Sequence, residues 1–494
     1  MTIKVLLKEI NYTIISGDDH VAITEVVYDS RKVSEGCIFV CIQGSTRDSH
    51  DLIPDVIQGG ARSIVVEKDI PEFLPLLKEK NITVVRVDHS RNALAYMAAA
   101  YFGNPAKKLT TIGLTGTKGK TTTSYMIQSI LEQSGAKVGV IGTIGAVIDG
   151  IKQKTANTTP ESFELQRLFS EMVEAGCTYC VMEVSSQGLK MNRVDGFTFD
   201  IGVFTNFSSD HIGPDEHASM EEYLYCKSLL FKQCKLGIIN SDDPSYEGAI
   251  KDHTCEIKTF GLGHTADLQG HNLELVRRPG LLGVTYQTTG VINRTIQLAT
   301  PGIFSVYNSL AALLVCNSLG IQEDTMLLSL STSQVRGRVE ILPVAENYTM
   351  MIDYAHNEAS VESLLTTILD YKPNRIICVY GGGGNRSKLR RYAMGELCGK
   401  MADLSILTCD NSRNEEVADI NNDIKVGLAK SNGNYVEILD RTEAIHYSMD
   451  HAKEGDIIIL LGKGHEDYQE IKGKKYYFCE KEVVEQYSKE KSIH

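Results

Sequence analysis

Ile112-Gly113-Leu114-Thr115-Gly116-Thr117-Lys118-Gly119-Lys120-Thr121-Thr122-Thr123 is the stretch that decides the fold. A β-prone run at 109–114 leads into glycines and lysines, and helix-compatible sequence follows. Glycines let backbone N–H groups turn inward, and a helix N-terminus adds positive dipole. Lys120 can reach outer phosphates and Thr121 can ligate Mg²⁺. The common phosphate-loop pattern would place its first glycine at position 114, where this chain has Leu114. A tight strand-to-helix turn with incidental lysines is the plain alternative, but Gly-Lys-Thr directly after a strand is what nucleotide phosphates need. The segment predicts a site for ATP or a similar nucleotide on a parallel α/β sheet.

Outward from it, residues 108–331 alternate strand-like runs (110–115, 137–141, 179–184, 201–205, 236–240) with amphipathic helical patterns, which argues for parallel βαβ units. Residues 1–107 read as a small α/β domain with strands at 25–28, 37–42, 63–66 and 83–87. A second alternation fills residues 332–494, with strands at 348–353, 375–380, 404–408, 435–439 and 456–461 in a Rossmann-like rhythm. The lysine-rich segment 472–475 reads as a solvated turn. Three domains also suit a chain of 494 residues, at ~150 residues per domain.

The apolar fraction of 42%, charged fraction of 23% and net charge of −13 describe a globular protein without a generic nucleic-acid or anionic-membrane surface. No apolar run approaches the ~18 residues of a membrane span, and the N-terminus lacks a signal-peptide pattern. A cytoplasmic monomer is expected. Twelve cysteines are spread along the chain and read as buried hydrophobes in a reducing compartment. Cys177 and Cys180 have half a zinc spacing but no second pair, so core packing is the preferred reading.

In open α/β sheets ligands bind beyond the carboxyl ends of strands, so those loops carry the chemistry. Glu183 ends one strand and is placed to hold Mg²⁺, although a capping or solvated carboxylate would look the same. His211 follows the next strand, where a second cation could bind or a structural histidine could sit. Lys227 lies in an apolar helical setting, where snorkelling is the ordinary expectation. Gly381-Gly382-Gly383-Gly384-Asn385-Arg386, Asp410-Asn411-Ser412-Arg413 and Gly462-Lys463-Gly464-His465-Glu466 follow three further strands. Their mixed charges and free backbone N–H groups suit a zwitterion such as an amino acid.

Jointly these motifs resemble the Mur ligases, the ATP-dependent amide-forming enzymes of peptidoglycan precursor synthesis, and most closely their MurE-type branch. The resemblance also rests on Asp29-Ser30-Arg31, Asn157-Thr158-Thr159-Pro160, Tyr307-Asn308, Gly337-Arg338-Val339-Glu340 and Asp353-Tyr354-Ala355-His356. It implies an N-terminal UDP-binding domain, a central ATP-binding domain and a C-terminal Rossmann-like domain that delivers the amino acid. It further implies that Gly116, Thr117, Lys118, Gly119, Lys120, Thr121, Thr122, Asn308, Arg338 and Asp353 contact the nucleotide. Thr121, Glu183, His211 and Lys227 would serve Mg²⁺, Lys227 as a carbamate. Ser30, Asn157, Thr158, Thr159, Ser185 and Arg193 would contact UDP-N-acetylmuramoyl-L-Ala-D-Glu.

The incoming amino acid would meet Arg386, Asp410, Asn411, Ser412, Arg413, Gly462 and Glu466. In the MurE-type branch the arginine of an Asp-Asn-Pro-Arg motif receives the distal carboxylate of meso-diaminopimelate. A buried Arg413 left unpaired against lysine would cost on the order of 1–3 kcal/mol, so meso-diaminopimelate is favoured. The chain departs from the family pattern at Ser412, Arg336 and Glu358, where proline is usual, and at Gln187 and Met191. These departures leave open a lysine-adding enzyme or a paralogue in a specialised pathway. A non-catalytic nucleotide-binding module is the reading from a different class. A folylpolyglutamate-type ligase is disfavoured by the segments around Ser30 and Arg413.

Overall fold

The computed structural model describes residues 1–44, 47–209, 212–213, 216–278 and 280–492. They form two compact units, one of Met1–Phe260 with Leu314–Leu319, the other of Gly261–Leu313 with Gly320–His494.

The first unit carries two sheets. Near the N-terminus a five-stranded sheet pairs Val26–Val27, Ile38–Val40, Ser63–Val66 and Thr83–Val87 in parallel. Tyr12–Ser16, which the sequence reading missed, joins its edge antiparallel to Thr83–Val87. Its positions alternate half-buried and exposed, with Thr13 and Ile15 facing outward, so it lacks the continuous buried run by which such strands are recognised.

In the second sheet of this unit Thr110–Thr115 lies between Tyr179–Glu183 and Phe199–Phe204, parallel to both. Chain connections depart in opposite directions from this point, with Val138–Gly142 beyond one neighbour and Cys234–Asn240 beyond the other. That is a topological switch, where loops at the carboxyl edge leave a crevice for ligands. The core beneath is apolar: Leu165, Phe169, Met182, Phe199 and Phe231 are fully buried. Cys177 and Cys180 join it, burial pushes both thiols up, and no further ligand-bearing side chain among the described residues completes a metal set with them.

Parallel βαβ units do not continue through residue 331. Leu268–Arg278, Leu281–Gly290 and Thr295–Leu298 form an antiparallel ribbon in the second unit, and Gly145–Ile148 with Ile151–Gln153 form antiparallel additions in the first. Short connections such as Asp149-Gly150, both at positive φ, cannot make the long crossover that a parallel pair requires.

The second unit also holds a six-stranded sheet, ordered Glu340–Leu342, Thr349–Asp353, Ile457–Leu461, Ile376–Tyr380, Leu404–Leu407, Tyr435–Glu437. All neighbours are parallel except the first pair. Its central strands are buried from end to end, which fits a sheet covered on both faces. The expected turn at 472–475 is half right. Lys472 and Gly473 make a two-residue turn at positive φ, while Lys474–Tyr477 pairs with Tyr468–Ile471 as a small hairpin.

Candidate functional site

The crevice in the first unit is built on Gly116. Its φ of +145° and the Thr205 hydroxyl against the position of a Cβ exclude a side chain there. Lys120 opens the helix Lys120–Gln133 and folds back, donating from Nζ to the Gly116 carbonyl at 2.8 Å and the Thr117 carbonyl at 3.1 Å. Lys227, 1% exposed on the helix Met220–Ser228, donates to the same Gly116 oxygen at 2.9 Å, with its ammonium 4.3 Å from the centre of the Tyr223 ring. The expected snorkel does not occur.

Across the loop, Thr121 Oγ1 donates to Glu183 Oε1 at 2.9 Å. Thr143, which motif reading overlooked, donates to both oxygens of Glu183 through N–H and hydroxyl, at 3.0 and 3.1 Å. Glu183 is 2% exposed. Hard oxygen donors gathered on one buried carboxylate are the donor chemistry that Mg²⁺ takes. From the opposite side Asn206 locks the loop, accepting from the Lys118 N–H at 2.9 Å and donating to its carbonyl at 3.0 Å. His211 lies outside the described residues.

Thr159 ties a neighbouring group to this centre. Its hydroxyl donates to the Glu183 carbonyl at 3.0 Å and accepts from the Ser185 N–H at 2.9 Å. Arg193 donates to the Thr159 carbonyl at 3.2 Å and to Glu161 at 2.9 Å. Thr158 approaches Thr143 at 3.5 Å, hydroxyl to hydroxyl, and Asn157 is exposed. Ser30 begins a short helical turn whose preceding residue, Asp29, accepts from the Arg31 N–H.

In the second unit a cavity of ≈ 140 Å³ is lined by Arg386, Arg390, Asp410, Asn411, Arg413 and Glu466, with Gly462 and Tyr354 at its wall. All the predicted amino-acid contacts line this cavity except Ser412, which is 2% exposed. Gly384 must be glycine, because a Cβ would collide with the Ser412 carbonyl. Arg386 and Arg390 face the cavity, and burial together with the neighbouring Arg386 charge lowers the Arg390 pKa. Such a pair calls for an anion.

Supports missed in the sequence hold this cavity. Arg391, 3% exposed, donates to both Glu415 oxygens at 2.8 Å, to Asp423 at 2.9 Å and to the Gly383 carbonyl at 3.0 Å. It drives the Glu415 carboxyl down to about 2. Arg441 is fully buried against Glu480 and donates to the Cys409 and Leu461 carbonyls, each at 2.9 Å. Those carbonyls immediately precede Asp410 and Gly462. Buried Lys463 reaches Glu466 at 3.3 Å and Asp410 at 3.7 Å.

Arg413 corrects one premise of the sequence argument. Its guanidinium is not awaiting a partner: Nη1 donates to the Gly384 carbonyl at 2.6 Å and Nε lies 3.5 Å from Glu470. Lysine would therefore not leave it orphaned.

Arg338 and Asp353 sit beside this cavity at the same carboxyl edge of the sheet, where the Gly462 N–H donates to the Asp353 carbonyl at 3.0 Å. The Arg338 guanidinium lies 4.9 Å from the Tyr354 ring centre. Asp353 accepts from the Val339 and Ala355 N–H groups, each at 2.7 Å, and burial pushes its carboxyl up against the opposing pull of Arg338. Asn308 lies on the helix Ile303–Ser318 and is 9% exposed.

Comparison with known proteins agrees with this architecture. Residues 22–102 match the Mur ligase family catalytic domain, 114–316 the Mur ligase middle domain and 337–464 the Mur ligase glutamate ligase domain. The UDP-N-acetylmuramoyl-L-alanyl-D-glutamate--2,6-diaminopimelate ligase 1 of Clostridium acetobutylicum is 41% identical, over 99% of this chain and 100% of its own. The ligase so named from Caldanaerobacter subterraneus subsp. tengcongensis is 41% identical over 97% and 98%. A solved structure of a UDP-N-acetylmuramoyl-L-alanyl-D-glutamate--2,6-diaminopimelate ligase superposes with a TM-score of 0.74 at 26% identity, covering 100% of this chain and 99% of the other. The three-domain α/β architecture is that of these ligases, and the chain belongs to the Mur ligase family.

Proposed function

We infer that this chain is an ATP-dependent ligase that joins meso-diaminopimelate to the D-Glu side-chain carboxylate of UDP-N-acetylmuramoyl-L-Ala-D-Glu in peptidoglycan precursor synthesis. The observation that carries the reading is the near full-length likeness to ligases of that name. The arginine-lined cavity at the Asp410–Arg413 loop supports it.

The domains are assigned as 1–107 for the UDP end, 108–331 for ATP and 332–494 for the amino acid. Lys120 leaves the Gly116 and Thr117 carbonyls to meet the outer phosphates of ATP. Thr121 and Glu183, with His211 and Lys227 as a carbamate, would hold Mg²⁺, which supplies neutralisation of charge on the phosphoryl group. Two ammonium groups on one carbonyl oxygen repel each other, and turning the Lys227 amine into a carbamate removes that conflict. Thr158, Thr159, Ser185 and Arg193 position the acceptor carboxylate, which attacks the γ-phosphorus, displaces ADP as the bridging P–O bond breaks, and becomes an acyl phosphate. Arg386, Arg413 and Glu466 orient the amino acid so that its amine attacks the acyl carbon and phosphate leaves. Since water would hydrolyse the acyl phosphate, the site must be closed to solvent during the step. The chain works in the cytoplasm as a monomer.

The test is phosphate release with ATP, Mg²⁺ and UDP-N-acetylmuramoyl-L-Ala-D-Glu, comparing meso-diaminopimelate with L-lysine and weighing the product. A strong preference for diaminopimelate is expected. Turnover with lysine alone would overturn the amino-acid assignment while keeping the ligase, and turnover with neither would overturn both.

A further inference from the structure

We propose that the hairpin of Tyr468–Ile471 and Lys474–Tyr477 is the clamp that sets amino-acid specificity, with Glu470 the positioning residue that aims Arg413. This rests on the reading of Arg413 as the contact for the distal carboxylate. Arg413 occupies the left-handed region at φ +50°, a conformation that costs a residue with a Cβ and persists only where its surroundings enforce it. The enforcement comes from the hairpin. The Arg413 N–H donates to the Glu470 carbonyl at 2.9 Å, the Lys472 N–H donates to the Arg413 carbonyl at 2.5 Å, and Arg413 bridges Ile471 in parallel.

The neighbouring loop residues are held by the same strand. The Glu470 N–H donates to Asn411 Oδ1 at 2.9 Å, and Asn411 Nδ2 donates to Glu466 at 2.8 Å. Gln469 Nε2 reaches the Cys409 sulfur at 3.1 Å. The loop is thus gripped between Gly384 on one side and the hairpin on the other. A proline at position 412 would have stiffened it locally. Ser412 cannot, and the grip from outside supplies the order instead.

The Glu470 carboxylate adds direction. It faces Nε of Arg413 at 3.5 Å while Nη1 is spent on the Gly384 carbonyl. The fork is hydrogen-bonded to the Gly384 carbonyl on one side and faces the Glu470 carboxylate on the other, and Arg413 lines the cavity. A ligand carboxylate then meets a guanidinium already in place, which lowers the ordering cost of binding. An amine without that carboxylate gains nothing from it.

The experiment is steady-state phosphate release by the full chain and its Glu470→Ala and Glu470→Gln variants, with meso-diaminopimelate and ATP varied separately. Glu470→Ala is expected to raise KM for diaminopimelate about tenfold, while kcat and KM for ATP stay within about twofold. Glu470→Gln, which keeps an oxygen facing the guanidinium but loses the charge, is expected to show a rise of about threefold. In an Arg413→Ala background, Glu470→Ala is expected to add nothing. An unchanged KM in both variants, a parallel loss in kcat and KM for ATP, or a full further loss in the Arg413→Ala background would each overturn the clamp. Should the alanine variant fail to fold, the glutamine variant decides by the same KM ratio. The native chain is run first: no turnover of diaminopimelate by it overturns the proposed function, whereas native turnover with an unaltered variant KM overturns only the clamp.

Discussion

The phosphate loop and the amino-acid cavity solve opposite problems. In the first, the groups proposed to meet the ligand are already engaged with the protein: Lys120 and Lys227 sit on the Gly116 carbonyl, and Thr121 sits on Glu183. In the second, Arg386 and Arg390 face an open cavity and the effort goes into the frame around it, through Arg391, Arg441 and the hairpin. A site that handles a reactive phosphoryl group gains from staying latched until its substrate displaces the latch. A site that must distinguish similar amines gains from being rigid beforehand.

The contrast is sharpest for Lys120→Ala. It should cut turnover on the order of 10³-fold, yet leave diaminopimelate binding, read by calorimetry, unchanged; loss of both would erase the distinction. Lys227→Ala should cost on the order of 10²-fold and recover in part with added short carboxylic acids, which stand in for the carbamate. No recovery would count against the modification. For the framed site, Arg441→Met leaves Glu480 buried without its partner and should lower stability by about 3–5 kcal/mol, measured by denaturant midpoint. Arg413→Ala should raise KM for diaminopimelate by roughly 10- to 100-fold with KM for ATP unaltered.

The smallest effect concerns pH. Glu415 is depressed to about 2 by Arg391, against about 4.3 in an unfolded chain. Its contribution is therefore complete above about pH 5 and is lost as pH falls toward 2. Glu415→Gln should melt below the native chain at pH 7, and the gap should close on acidification. A gap constant with pH would remove the charge from the account.

The same contrast explains what could be read from the sequence. The phosphate loop is contiguous, so Gly116, Lys120 and Thr121 announce themselves, and the strand 110–115 is where it was expected. The place of Glu183 at a strand end was legible, but its partner Thr143 was not, since nothing local ties it to a carboxylate forty residues away. The frame was harder still. Arg441 and Glu480 meet only through tertiary packing, and each alone resembles an ordinary surface charge on a helix. The strands read well where they were buried runs, as at 63–66 and 83–87. They read poorly in the 268–298 ribbon, where one face is wet and polar residues interrupt the apolar signal.

Arg441 has a consequence for noise. By holding the carbonyls of Cys409 and Leu461 with one rigid guanidinium, it makes the starts of two loops share a reference point. Thermal displacement of one start should then be followed by the other. The spacing between Asp410 and Gly462 is kept while the pair drifts together. If the proposed amino-acid site holds, fidelity in choosing an amine rests on that difference in position, which the domain then keeps as it breathes.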